Sequence, residues 1–240
     1  EIRKPSTGTD GKGSKSPIKG LSVTASLSRV TGFNGVRLND FVGLIEADTN
    51  GIAKADVSGS LDGRSPFKFS LQPAGTGKVA DGDFGDAGAT LKFLDLYERM
   101  RGGQGKLRVN MYDTKTWDGS FRVRELSITQ DPALKRLSSD PSVFRSQLRN
   151  DGGFRLPASA RNGESSFQTL DILFTRAGDI LTIHKGGLKG AVFGGTVSGT
   201  VNLASQALDL TGTFVPIFAL NNIFSKIPIL GFALGGGSGE

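Results

Sequence analysis

Side chains able to do acid–base or nucleophilic chemistry are few in this sequence, and they do not gather. His184, in "LTIHKGG", is the single histidine. As a general base it needs a second group to orient its ring, and the sequence points to none, so a solvated or packed histidine is the simpler reading. The segment "GTGKV" at 75–79 resembles a phosphate-binding loop but fails the pattern. Val79 follows Lys78 where Ser or Thr is required, and Gln72 stands where the first glycine belongs. "DFG" at 83–85 has none of the other elements that give this tripeptide a magnesium-binding role. The carboxylates are spread along polar faces, without the clustering that calcium or zinc needs. There are no cysteines, hence no thiolate ligands and no disulfides. The expectation is a protein that is not an enzyme, with no catalytic residues, no metal and no cofactor.

Charge points away from nucleic acid. The chain of 240 residues carries a formal net charge of +6. In residues 1–20, five cations (Arg3, Lys4, Lys12, Lys15 and Lys19) face two acids, Glu1 and Asp10, so half of the excess sits there. The remainder is diluted over the other residues. A nucleic-acid surface concentrates its cations and interleaves aromatics. Here 16 phenylalanines sit inside apolar patterns, beside two tyrosines and one tryptophan. Attraction to anionic lipid headgroups is equally permitted.

The elements that position these residues are mostly strands. Residues 1–20, rich in Gly, Ser, Pro and Lys, read as a basic linker. The chain opens on Glu1, which reads as a processed or excised piece. Beyond residue 20 the dominant period is two. "LSVTASL" places Leu21, Val23, Ala25 and Leu27 on one face; "AKADVSGSL", "FKFSL" and "LRVNM" alternate in the same way. "FRVRELSI" begins in phase at Phe121 and Val123 and then shifts to Leu126 and Ile128, which predicts a bulge near Arg124–Glu125. Later strands run through Leu170, Ile172 and Phe174, through Leu181 and Ile183, through "AVFGGTVSGTVNL", and through Leu208, Leu210 and Phe214 after the turn "ASQA". Short turns between such strands predict an antiparallel meander with one apolar and one wet face. The organisation expected is a first β segment over 21–147, a loop over 148–165, and a second β segment over 166–240.

Helices are few. Asp86 is placed to cap a helix over about 87–100, with Leu91, Leu94 and Tyr97 on one side and Gly102–Gly103 as its stop. "DPALKRL" and "DPSVFRSQL" each open with Asp-Pro, a helix-start signal. The stretch Phe214–Leu234 is long enough to cross a bilayer, and its twelve Phe, Val, Ile and Leu residues favour insertion. Lys226 near its middle opposes that by about 2.5–3.5 kcal/mol, and two asparagines, a serine and two prolines add to the cost. Leu220, Ile223, Phe224 and Ile227 follow helical spacing, with Asn221, Asn222, Ser225 and Lys226 opposite. Pro228 limits that helix. The reading is two short amphipathic pieces, not a span.

The apolar strand faces admit two arrangements. One is a closed sandwich or barrel that consumes them as core. The other is an open, strongly curved sheet whose apolar side is left for acyl chains. Alternation of small and large residues, as in Gly195–Val197–Gly199–Val201, suits either.

Four segments carry a resemblance to a known family. They are "DAGATLKFLDLYERMRGGQGKLRV", "WDGSFRVRELSITQDPALKRL", "SFQTLDILFTRAGDILTIHKGGLKGAVFGGTVSGTVNLASQALDLTGTFVP" and "ALNNIFSKIPILG". Over residues 21–235 the chain resembles the C-terminal region of AsmA-like proteins, the YhdP-type group of Gram-negative bacteria. The resemblance implies a periplasmic segment of a protein anchored in the inner membrane, with the anchor outside this chain. It implies a mainly β fold, an antiparallel curved sheet forming an open hydrophobic groove of repeating type. It also implies a part in moving phospholipids towards the outer membrane. Under this reading the groove is lined by Val23, Phe67, Phe69, Leu107, Val109, Phe121, Val123, Leu170, Ile172, Phe193, Val197, Val201, Leu208 and Leu210. Leu220, Ile223, Phe224, Ile227, Ile229 and Phe232 would dock on a membrane surface or an envelope protein. The alternative is a closed β domain that serves as a binding or scaffold module, its C-terminal helices docking on a partner protein.

Overall fold

The computed structural model describes residues 20–139, 164–191 and 193–216. Eleven strands form one antiparallel sheet in simple sequence order: β1 (Leu21–Thr31), β2 (Arg37–Asp48), β3 (Gly51–Leu61), β4 (Ser65–Ala74), β5 (Gly77–Phe84), β6 (Met100–Met111), β7 (Thr116–Ile128), β8 (Ser165–Ala177), β9 (Ile180–Gly190), β10 (Phe193–Asn202) and β11 (Leu208–Pro216). β1 and β11 are its edges and do not pair with each other, so the sheet is open. The closed alternative is thereby corrected. β7 and β8 pair along their full length from Thr116↔Ala177 to Ile128↔Ser165. The segments on either side of the expected 148–165 loop therefore belong to one sheet.

Tight turns fix the registers. "GTGKV" is the β4–β5 hairpin: Ala74 pairs with Gly77, and Gly75 takes the left-handed conformation the two-residue turn requires (φ 59°). Phe84 of "DFG" is a buried core residue. The phase change expected at Arg124–Glu125 is present, with Glu125 at φ 57°, but the expected bulge is not, since the β6–β7 and β7–β8 registers run through it unshifted. β6 takes the matching extra residue at Gly103 (φ 90°), so Gln104↔Arg124 and Gly102↔Leu126 stay in one register. Two flanking strands thus share one irregularity, and the apolar residues Val123 and Leu126, three apart, both turn inward.

Two α-helices and one 3-10 turn (Phe33–Gly35) accompany the sheet among the described residues. α1 (Ala87–Phe93) is capped as expected, with the Asp86 carboxylate accepting from the Ala89 N–H at 2.7 Å. It is shorter than the expected 87–100. It ends at Phe93 with Leu94 as its C-cap, Asp95 adopts φ 58°, and β6 begins at Met100, so Gly102–Gly103 lie inside a strand and stop nothing. The reason is tertiary: Met100 is needed in the core, where it joins Ala87, Val123, Leu126 and Phe167. Close approach of α1 to β6 depends on two glycines. A Cβ on Gly88 would lie 2.5 Å from the Met100 carbonyl oxygen, and one on Gly105 would lie 2.9 Å from the Ala87 Cβ. α2 (Pro132–Ser139) follows the first Asp-Pro signal, with the Asp131 carboxylate accepting from the Leu134 N–H at 3.1 Å. The second Asp-Pro segment, the linker 1–19 and the tail 217–240, with Leu220, Ile223, Phe224, Ile227, Ile229 and Phe232, lie outside the described residues.

Candidate functional site: the two faces of the sheet

Side chains along a strand point alternately to opposite faces, so the registers sort every position. One cross-strand row runs over all eleven strands: Ala25, Gly43, Val57, Phe69, Gly82, Leu107, Phe121, Ile172, Gly186, Val197, Gly212. The adjacent row on the same face does so as well: Val23, Ile45, Ala55, Leu71, Ala80, Val109, Gly119, Phe174, Ile183, Gly199, Leu210. Neither row contains a polar side chain. A third row carries Phe67, Phe84, Gly105, Val123, Leu170, Leu188, Gly195 and Phe214. Charge enters this face at the hairpin end, where Lys78 and Arg176 appear and the Arg176 guanidinium stacks on the Trp117 ring at 4.4 Å.

The sequence-predicted lining therefore falls on one face, but its members are not equivalent. Phe67, Val109 and Val123 are buried among their neighbours, Val123 completely. They are consumed by the fold. Phe69, Leu107, Phe121, Leu170, Ile172, Val197 and Val201 are half-buried. Val23 on β1, at 45% exposure, and Leu208 (67%) and Leu210 on β11 are open to solvent at the two edges. Phe193 pairs with Pro216 at the end of β10, and its side chain lies outside the described set. The glycines of this face are not vacant space. The Phe84 ring lies over Gly82, where a Cβ would meet it at 2.4 Å, and a Val197 methyl covers Gly186 at the same distance.

The opposite face is charged. Its central row reads Ser26, Val42, Ser58, Lys68, Asp83, Lys106, Arg122, Asp171, Gly187, Thr196, Thr213. Lys106 donates to Asp83 at 3.1 Å, Arg108 to Asp81 at 3.3 Å, and Arg122 to Asp171. A cavity of about 840 Å³ lies over this face between β3 and β9. Sequence reading passed over this cluster, because alternating charges on a wet strand face look like solvation. Its signal lies in the register, which a single sequence does not print. His184 also stands exposed, with Nε2 2.8 Å from the Thr175 hydroxyl.

Among the described residues no three carboxylate or histidine side chains gather as a metal site, and no helix is long and apolar enough to cross a membrane. No family model, no curated protein and no solved structure matches this chain.

Proposed function

We propose that this chain is a segment of a bridge-like lipid-transfer protein that shields phospholipid acyl chains along its apolar sheet face, between the inner and outer membranes of a Gram-negative envelope. The observation that carries the reading is the pair of rows that cross all eleven strands without a polar side chain, on a sheet that is open and has no second sheet against it among the described residues. The physical case needs no reactive side chain. An acyl chain in water costs about 0.8 kcal/mol per CH₂. A continuous apolar track removes that cost at every position while leaving the headgroup wet. Nonspecific contact allows the lipid to slide, which suits aliphatic and phenyl groups such as Leu107, Phe121, Ile172 and Val197. The curved hydrophobic groove, the periplasmic setting and the docking of the 220–232 segment on a membrane or envelope protein belong to this proposal.

A second reading is favoured by the end of the sheet under α1. There Val123, Leu126 and Phe167 are fully buried against one another, as in the core of a domain. A β module of this kind would act in envelope assembly by docking its tail on a partner. Delipidated protein incubated with phospholipid vesicles and analysed by mass spectrometry separates the two. Stoichiometric bound phospholipid supports the conduit; protein that stays lipid-free supports the module.

A further inference from the structure

On the charged face, Lys106 and Arg122 stand directly opposite each other on β6 and β7. Like charges in that relation destabilise a sheet. The neighbours reduce the strain by drawing the two cations apart: Lys106 leans to Asp83 on β5, and Arg122 leans to Asp171 on β8. Arg108, two residues along β6, is likewise drawn to Asp81. All three carboxylates thus lie on the outer strands, while Lys106, Arg108, Ser120 and Arg122, on the two central strands, line the middle of the cavity of about 840 Å³. That volume is in the range of small-molecule sites. A broken local rule at the centre of a cavity is the pattern of a position kept for binding.

We propose that this cavity binds a phosphate carried on a small hydroxylated molecule, a sugar phosphate or glycerol phosphate. Lys106, Arg108 and Arg122 hold the phosphate through charge-assisted hydrogen bonds, and Ser120, beside Arg108, meets the hydroxyl-bearing part. The Lys106–Asp83 and Arg108–Asp81 pairs are exposed, worth at most about 1 kcal/mol each, and re-partner readily, whereas Arg122 keeps its part-buried Asp171 partner and offers the phosphate its remaining N–H groups. The acids also select. Asp81, Asp83 and Asp171 interrupt the basic surface, so an extended polyanion such as nucleic acid meets repulsion on both sides of the site, while a single phosphate does not. This site uses the face opposite the apolar rows and stands or falls independently of the lipid reading.

The test is calorimetric titration of the full chain with glycerol 3-phosphate, with glycerol as the uncharged control, repeated on Lys106→Gln and Arg108→Gln. Saturable binding of glycerol 3-phosphate but not glycerol is expected, reduced at least tenfold in each variant and weakened by added salt. Lys106→Gln relieves the opposed charges, so its thermal midpoint should equal or exceed that of the parent. Lost binding is then not lost folding. A parallel arm compares phosphatidylglycerol with phosphatidylcholine vesicles. Competition by the anionic vesicles assigns the phosphate to a lipid headgroup, and its absence to a free solute, both within the proposal. Absence of glycerol 3-phosphate binding, binding unchanged in both variants, or tighter retention of duplex DNA than of glycerol 3-phosphate would overturn it.

Discussion

Gly119 of β7 lies directly across from Phe174 of β8, and the phenyl ring covers it. A Cβ at Gly119 would sit 2.7 Å from the ring and 2.7 Å from the Arg108 carbonyl oxygen. The ring fills the place a side chain would take, and the backbone of β6 closes the other side. Gly119→Val should therefore destabilise by about 1–3 kcal/mol through overpacking, seen as a lower urea midpoint. An unchanged midpoint would mean that the ring swings aside freely and the face is loosely filled.

The apolar face is expected to divide into a part that stabilises and a part that binds. Leu126, 1% exposed, should cost about 2–5 kcal/mol when cut to alanine. Leu208, exposed on the β11 edge, should change stability by no more than about 0.5 kcal/mol while lowering lipid uptake. Chemical denaturation and lipid binding measured on both variants check the division. Equal stability losses would place Leu208 in the core as well.

Val197→Asp extends the same logic into the middle of the uninterrupted row. Its side chain is half-buried over Gly186. A carboxylate there should leave the sheet folded by circular dichroism and abolish phospholipid uptake. Loss of the fold would show that the row is sealed core and not an accessible track.

Both tyrosines should resist ionisation. The Tyr97 pKa is raised, first by burial and then by the hydrogen bond its hydroxyl donates to Asp131 at 2.8 Å. The Tyr112 pKa is raised chiefly by its hydrogen bond to Asp118. A folded-state value above the unfolded one contributes stability that is whole below the ordinary tyrosine pKa of about 10 and is lost as pH climbs through the folded value. Ultraviolet difference absorbance should therefore show tyrosinate appearing later in the native protein than in urea. Coincident titrations would contradict the Tyr97–Asp131 contact.

Much of the fold was legible because alternation is a local property. Strands at Leu21, Phe67, Leu107, Phe121, Leu170 and Leu208 all follow from period two. β2 and β5 were not read. Asp40, at φ 52°, breaks the alternation of β2 next to a register shift. β5, "GKVADGDF", combines glycines and aspartates that disfavour strands and is held by pairing on both sides. Leu94 and Tyr97 continue the spacing of the helix after Asp86 and so extend the expected helix to about residue 100, whereas the chain turns back to deliver Met100. The site was half legible. Which residues share the apolar face follows from spacing; which of them the core consumes depends on long-range packing, such as that under α1. The opposed Lys106 and Arg122 are 16 positions apart in sequence and become neighbours only through the β6–β7 register.

Photo-crosslinking tests the apolar track most directly, because Ile172 and Leu173 are adjacent, similarly greasy and on opposite faces. A photoreactive leucine analogue is placed at each position in turn, and the protein is illuminated with phospholipid vesicles. A lipid adduct at 172 that exceeds any at 173 is the result the account predicts. Adducts at 173 alone, or at neither position, would contradict it.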